Sequence, residues 1–127
     1  MRAYVDSDVL IWHLRGNRTA KGFLRRLARR EDTELWVGAM QRAEVVFFMR
    51  PEEADRTCLL LSQFKTAPVD EEIVDIAGTL YRKWNPSHGT DINDALLAAT
   101  VLKTGGNIFC LNRKHYPMPG VAVQRAW

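Results

Sequence analysis

Residues 3–11 read Ala-Tyr-Val-Asp-Ser-Asp-Val-Leu-Ile, and the fold class can be inferred from the pattern of these nine residues. The first three residues are apolar and predict a short buried strand that ends at Asp6. Asp and Ser favour the N-terminal cap of a helix, and the apolar residues that follow predict a mostly buried helix to Gly16. A buried strand that leads directly into a helix indicates a βα unit.

The same alternation continues along the chain. Hydrophobic spacing and turn residues predict further helices over 19–30, 40–49, 51–64, from 71 onward behind an Asp70 cap, and from 92 to the pair Gly105-Gly106, with Thr90 or Asp91 as cap. Short apolar runs predict strands at 35–37, 67–69, 107–111 and 121–123, and residues 85–89 form the clearest loop. Strands that alternate with amphipathic helices predict an α/β fold, with a parallel sheet between layers of helices.

Composition limits the class of protein. The chain has 127 residues, of which 46% are hydrophobic and 26% charged, which is typical of one globular domain and excludes a disordered chain. No apolar run approaches the roughly 20 residues of a membrane span. Cys58 and Cys110 match no metal or redox spacing, so we expect reduced, partly buried thiols in a soluble cytoplasmic protein.

The basic residues are unevenly distributed. The net charge is +3, yet residues 9–30 hold seven basic side chains and no acid, and residues 95–127 hold four and no acid. A solvated helix face explains one such run, whereas two acid-free runs around a few carboxylates favour a polyanionic partner such as nucleic acid. Both interpretations stay open on charge alone.

Asp6 and Asp94 stand where a ligand site is expected. Asp6 follows the first predicted strand, and ligands of open parallel sheets bind beyond the carboxyl ends of the strands. Asp94 begins an apolar helix face near the positive end of the helix dipole, and Asp91 lies one turn earlier on the same side. A role as helix N-cap explains Asp6 and Asp91 as well as a role in a ligand site does, so both interpretations stay open.

Glu44 falls on an apolar face of the predicted helix 40–49, together with Met40, Phe47 and Phe48. A carboxylate buried there without a partner is costly, so either an arginine pairs with it or it lines a polar site. Three acids from distant segments would create an oxygen-rich site of the kind that Mg²⁺ or Mn²⁺ prefers. Such a metal activates water and neutralises charge on a phosphate. The histidines (His13, His88 and His115) show no zinc spacing and add little.

Four short blocks occur in a family-like order and spacing. They are Tyr4-Val5-Asp6-Ser7-Asp8-Val9-Leu10-Ile11, Ala43-Glu44-Val45, Asp94-Ala95-Leu96-Leu97-Ala98-Ala99-Thr100, and Leu111-Asn112-Arg113-Lys114-His115-Tyr116. Together they span essentially the whole chain, which resembles a PIN-domain ribonuclease of the VapC toxin type. The resemblance implies one PIN-like nuclease domain over residues 1–127, a three-layer α/β/α sandwich around a five-stranded parallel sheet.

The resemblance also implies a chemistry. Asp6, Glu44 and Asp94 would bind Mg²⁺ or Mn²⁺ and carry catalysis, with Ser7 and Asn112 at supporting positions and Asp91 as a further candidate. The implied activity is hydrolysis of RNA, often a tRNA or rRNA, to products with a 5′-phosphate and a 3′-hydroxyl. The implied partners are a second copy of the chain and a VapB-type antitoxin. Gly38-Ala39 stands where many relatives have Ser or Thr, and Cys110 where Thr is common.

Two other functions are compatible with parts of the pattern. Asp6-Ser7-Asp8 resembles the Asp-x-Asp signature of haloacid-dehalogenase-type phosphatases, in which the first Asp is a nucleophile and the second a general acid. No strand is predicted just before Asp91 and Asp94, as those enzymes require. The other alternative is a PIN scaffold that binds RNA without cutting it, against which the complete acidic set argues.

Overall fold

The computed structural model describes residues 1–127 as five strands and six α-helices. The strands are β1 (Arg2–Val5), β2 (Glu34–Gly38), β3 (Lys65–Ala67), β4 (Asn107–Cys110) and β5 (Ala122–Arg125). The helices are α1 (Ser7–Leu14), α2 (Arg18–Ala28), α3 (Ala39–Val46), α4 (Ala54–Leu61), α5 (Glu71–His88) and α6 (Ile92–Thr104). Short 3₁₀ turns occupy Pro51–Glu53 and Arg113–His115.

The five strands form one sheet in the order β3-β2-β1-β4-β5, and every neighbouring pair is parallel. The chain moves outward from β1 to β2 and β3 and then returns to the other side of β1 as β4. The carboxyl ends of β1 and β4 therefore flank the point where the strand order reverses. In open α/β sheets a crevice for ligands forms at that point.

Successive side chains of each strand point to opposite faces of the sheet, and the apolar strand residues therefore cover both faces. One face, which includes Val5 and Phe109, packs against α1, α2, α3 and α4. The opposite face, which includes Tyr4 and Ile108, packs against α6. Helix α5 covers the outer side of α6 through small residues such as Ala77. The predicted three-layer α/β/α architecture with a five-stranded parallel sheet is confirmed.

Three predicted elements differ from the structure. Residues 85–88 are not a loop but the last turn of α5, which ends at Gly89 in the left-handed region with φ of 66°. Pro86 stands inside the helix, two residues before His88, and does not end it. The strand predicted at 67–69 lies two residues earlier, as β3, and α3 ends at Val46 instead of continuing to residue 49.

None of the six helices is both long and apolar enough to cross a membrane. Both cysteines are free thiols, as predicted, although Cys58 is exposed and Cys110 fully buried. The seven basic residues between positions 9 and 30 are all exposed. Their side chains are therefore available to an anionic partner.

Candidate active site

Asp6 is held at the carboxyl end of β1 by two hydrogen bonds. The Ser7 backbone N–H donates to its Oδ1 at 2.8 Å, so Asp6 does cap α1. The hydroxyl of Tyr116 donates to its Oδ2 at 2.6 Å. Only 8% of Asp6 is exposed, which fixes the carboxylate in a partly desolvated position.

The environment of Asp6 disfavours its negative charge. Burial raises the pKa of Asp6 from 3.8 to about 7, with further increases from the charges of Asp8 and Asp94. The hydrogen bonds from Tyr116 and Ser7 act in the opposite direction and are not sufficient to cancel these effects. Perturbation by burial and like charges is a frequent property of functional carboxylates. Burial and the neighbouring carboxylates therefore both favour the neutral form of Asp6.

Asp94 lies in the first turn of α6, and 8% of the residue is exposed. It forms a capping box with Asp91, in which the Asp94 N–H donates to Asp91 Oδ1 at 2.7 Å and the Asp91 N–H donates to Asp94 Oδ2 at 3.1 Å. Burial raises the pKa of Asp94 to about 6, and the charge of Asp91 adds to this effect. His115 opposes it, because its Nδ1 lies 3.4 Å from Asp94 Oδ2.

Glu44 reaches the same region from α3. Burial raises its pKa, and the charges of Asp91 and Asp94 raise it further, while the Ser7 side chain partly offsets them. No arginine forms an ion pair with Glu44, so the alternative of a structural salt bridge is wrong. Since the charge of Asp94 acts on both Asp6 and Glu44, the three predicted acids share one neighbourhood.

The predicted apolar face around Glu44 is wrong. Phe47 and Phe48 follow the end of α3 and are 78% and 82% exposed, so they form no apolar face around the carboxylate. Glu44 is instead partly buried beside the starts of α1 and α6, where the side chains of Ser7 and Asn93 lie near enough to lower its pKa.

The supporting residues have mainly structural contacts. Ser7 is buried at the first position of α1, and Asp91 is the exposed N-cap of α6. Asn112 caps the 3₁₀ turn at 113–115 by accepting from the Lys114 N–H at 3.2 Å, and its side chain lies 3.3 Å from His115 Nε2. Asn112 thereby orients His115 rather than contacting the acids itself.

The space beside Gly38 is filled in a way the sequence did not indicate. A side chain at position 38 would collide with Gln41, whose amide occupies that space. Gln41 is 1% exposed and donates to the Asn93 carbonyl at 3.1 Å. It thus ties α3 to the start of α6, close to Glu44 and Asp94.

Sequence reasoning missed the site contacts of His115, Tyr116 and Asp8. His115 and Tyr116 lie on the segment after β4, far along the chain from Asp6. Tyr116 was quoted only as part of a motif, and His115 was otherwise considered only as a zinc ligand. A buried Thr90 hydroxyl donates to the His115 carbonyl at 2.8 Å and holds this segment against α6. Asp8 accepts from the Leu111 N–H at 3.1 Å, which joins the ends of β1 and β4. The available sequence signal for Asp8 was its position three residues after the end of β1.

The carboxylates form a donor set for a hard cation, although they are not a closed cage. No group of three or more His, Cys, Asp or Glu side chains is arranged to hold a metal ion by itself. Mg²⁺ is commonly bound through one or two carboxylates with several waters retained. Burial, and after it the neighbouring carboxylates, raises the pKa values of Asp6, Glu44 and Asp94, and a bound cation would favour their ionised forms. The residues present therefore fit such a metal.

Tyr116→Phe tests the role of the hydroxyl that contacts Asp6. The variant removes a hydrogen bond that lowers the pKa of Asp6, so that pKa should rise further and the affinity for a divalent cation should fall by about 10- to 100-fold, as for other groups that orient metal ligands. Calorimetric titration with Mn²⁺ measures the change. Tyr4→Phe is the control, since the Tyr4 hydroxyl pairs with Thr104 at 2.7 Å, at the opposite end of α6 from the acidic cluster of Asp6, Glu44 and Asp94. Equal Mn²⁺ affinity in the two variants would contradict the role.

The comparisons with known proteins agree with the geometry. The profile of the PIN domain family matches residues 3–119. Ribonuclease VapC10 of Mycobacterium tuberculosis is 36% identical over 115 residues, which cover 90% of this chain and 85% of that protein. Ribonuclease VapC19 of the same organism is 30% identical over 115 residues, covering 90% and 91%. A toxin-antitoxin complex from Klebsiella pneumoniae contains a chain that superposes with a TM-score of 0.78 at 22% identity, covering 98% of each chain. With residues 3–119 matched by the family profile, the chain belongs to the PIN domain family.

Proposed function

We propose that this protein is a metal-dependent endoribonuclease that hydrolyses phosphodiester bonds in RNA and is the toxin of a VapBC-type toxin–antitoxin pair. One observation carries the proposal. Asp6, Glu44 and Asp94 come from three distant segments, and the charge of Asp94 raises the pKa of both Asp6 and Glu44, on the side of the sheet where the strand order reverses. Two ribonucleases are 36% and 30% identical to this chain over 90% of its length, which supports the same activity.

We assign Asp6, Glu44 and Asp94 as the residues that hold Mg²⁺ or Mn²⁺. A bound cation of this type polarises a phosphate oxygen and lowers the pKa of water. The protein contributes the positions of the ligands: the α1 cap and Tyr116 fix Asp6, and the capping box with Asp91 fixes Asp94. Glu44 holds the cation or orients the attacking water from the α3 side.

Basic residues around the acids bind the rest of the substrate. Arg113 and Lys114 are exposed beside His115, on the same rim as Asp94. Each cation that contacts a phosphate adds affinity by releasing condensed counterions. Basic side chains on the rim would bind phosphates along an RNA strand. The acids at the centre would hold the metal at the phosphate that is cleaved.

The partners follow from the family and the relatives. We propose that residues 1–127 act as one cytoplasmic nuclease domain, as a homodimer, on a tRNA or rRNA. We further propose that a VapB-type antitoxin blocks the site. The superposition on a toxin-antitoxin complex supports a fold suited to such an assembly.

The experiment is to map cleavage in total RNA incubated with the purified protein and Mg²⁺, Mn²⁺ or EDTA. Discrete new ends with a 5′-phosphate, formed with either metal and absent in EDTA, are expected. Cleavage that proceeds unimpaired in EDTA would overturn the metal assignment. RNA binding without any cleavage in either metal would indicate the non-catalytic scaffold.

The phosphatase alternative loses its main support in the structure. Asp8, the general acid of that mechanism, instead accepts from the N–H groups of Val9 and Leu111 at 2.7 and 3.1 Å. Its carboxylate is thus occupied in joining two strand ends. Lack of hydrolysis of a small aryl phosphate, with no trapped aspartyl-phosphate, would exclude it.

A further inference from the structure

A cavity of about 510 Å³ opens beside Glu44. It lies between α1, the residues that follow α3 and the first turns of α4, with Arg15, Phe48 and Thr57 among its lining residues. Its volume is within the range of small-ligand pockets, roughly 300–1,000 Å³. Since Glu44 belongs both to the acidic cluster and to the wall of the cavity, the two sites adjoin.

The cavity has two guanidinium groups without a carboxylate partner. Neither Arg15 nor Arg50 takes part in an ion pair anywhere in the chain. Of the two acids in the lining, Glu53 accepts from the Arg50 backbone N–H at 3.1 Å, and Glu44 faces the other site acids. Guanidinium groups bind phosphate oxygens in a bidentate manner. The free cations of this cavity are therefore suited to a phosphate.

The cavity also has an exposed aromatic ring and an unsatisfied hydroxyl. Phe48 lines the cavity and is 82% exposed, which is unusual for a phenyl ring without a partner. Thr57 is 1% exposed, and its Oγ1 has no hydrogen-bond partner. A buried hydroxyl without a partner is unfavourable, so a bound polar group would stabilise it.

We propose that this cavity binds one nucleotide of the RNA next to the scissile phosphate, with its base against Phe48 and Thr57 and its phosphate at Arg15 and Arg50. Single-stranded RNA is recognised by bases that stack on aromatic rings and form hydrogen bonds along their edges, together with cations along the backbone. The inference rests on the proposed function. The cavity then determines which base is accepted beside the cleaved bond.

Phe48→Ala is the main test, and Phe47→Ala is its matched control, since Phe47 is 78% exposed and does not line the cavity. The substrate is a fluorescein-labelled single-stranded RNA that covers the mapped cleavage site. Phe48→Ala should raise KM by about tenfold with kcat unchanged, because stacking is lost in ground and transition states alike. It should also weaken the preference for the base beside the cleaved bond.

Thr57→Val gives a second and independent readout. Valine has nearly the shape of threonine and removes the unpartnered hydroxyl, so the thermal midpoint should stay the same or rise. At the same time the base preference beside the cleavage site should change. A variant that is folded at least as well as the parent and cleaves with altered preference separates recognition from stability.

Arg15→Gln tests the phosphate contact. One lost contact to a single strand should reduce the slope of log affinity against log salt by about 0.7. If Phe48→Ala and Phe47→Ala bind and cleave this RNA identically, the subsite is wrong while the proposed nuclease function stands. The same holds if Phe48→Ala weakens only the binding of an antitoxin. If the parent protein cleaves no RNA, both proposals fall.

Discussion

Asp6→Asn should reduce Mg²⁺-dependent RNA cleavage by about a thousandfold, which is the scale of removing one preorganised electrostatic group from an active site. Asn keeps the oxygen that caps α1 but lacks the charge that would hold a cation. The cap on α1 is retained, and the Tyr116 hydroxyl can accept from the new amide N–H in place of donating to Oδ2, so the fold should persist. Initial rates on total RNA or on a mapped fragment measure the effect.

Binding of RNA should survive in Asp6→Asn, because the exposed cations that contact phosphates are untouched. Asp75→Asn is the matched control, since Asp75 is exposed on α5, outside the acidic cluster. That variant should cleave at the parent rate. Cleavage by Asp6→Asn at a rate comparable to Asp75→Asn would refute the assignment of Asp6. Asp94→Asn should behave like Asp6→Asn and provides an independent check at α6.

The metal-free protein should lose stability as the pH rises from about 4 to 7. The folded-state pKa of Asp6 is about 7 and its ordinary value is 3.8, so within this window the unfolded chain has released a proton that the folded state still holds. Stability from this group is therefore fully present below pH 4 and is lost as the pH approaches 7. Asp94, with a pKa of about 6, acts in the same direction.

Asp6→Asn isolates the contribution of this single group. The free energy of unfolding of the variant minus that of the parent should increase by roughly 2–4 kcal/mol between pH 4.5 and pH 8 in EDTA. Urea unfolding of both proteins measures this difference, in which other titrating groups cancel. Mg²⁺ should stabilise the parent at pH 8 more than the variant, since it binds the folded state. If the free energies of unfolding of the two proteins change in parallel with pH, the pKa of Asp6 is not raised in the folded protein.

The parts of the fold that could be predicted are those set by interactions between residues close together in the sequence. The strand before Asp6 and the caps at Asp70 and Asp91 follow from residues within one helical turn. Boundaries failed where a single residue type was given too much weight, as at Pro86, because the position of Gly89 and not of the proline decides where α5 ends.

The candidate site was predictable in its acids and not in their surroundings. Asp6, Glu44 and Asp94 each stand at a recognisable position, at a strand end or on a helix. Tyr116 gave no such signal, because its contact with Asp6 joins residues 110 positions apart and depends on the placement of β4. The exposure of Phe48 was missed for a related reason, since helical spacing beyond Val46 has no meaning once the helix has ended.

The Tyr116–Asp6 hydrogen bond sets the point during synthesis at which the acids can be arranged. Chains emerge from the ribosome at about 5–20 residues per second, N-terminal residues first. Asp6 is therefore made long before Tyr116, and Glu44 and Asp94 are made in between. A chain that stops short of residue 116 would carry all three acids without the hydroxyl that fixes Asp6, so the complete arrangement forms only when synthesis is nearly finished.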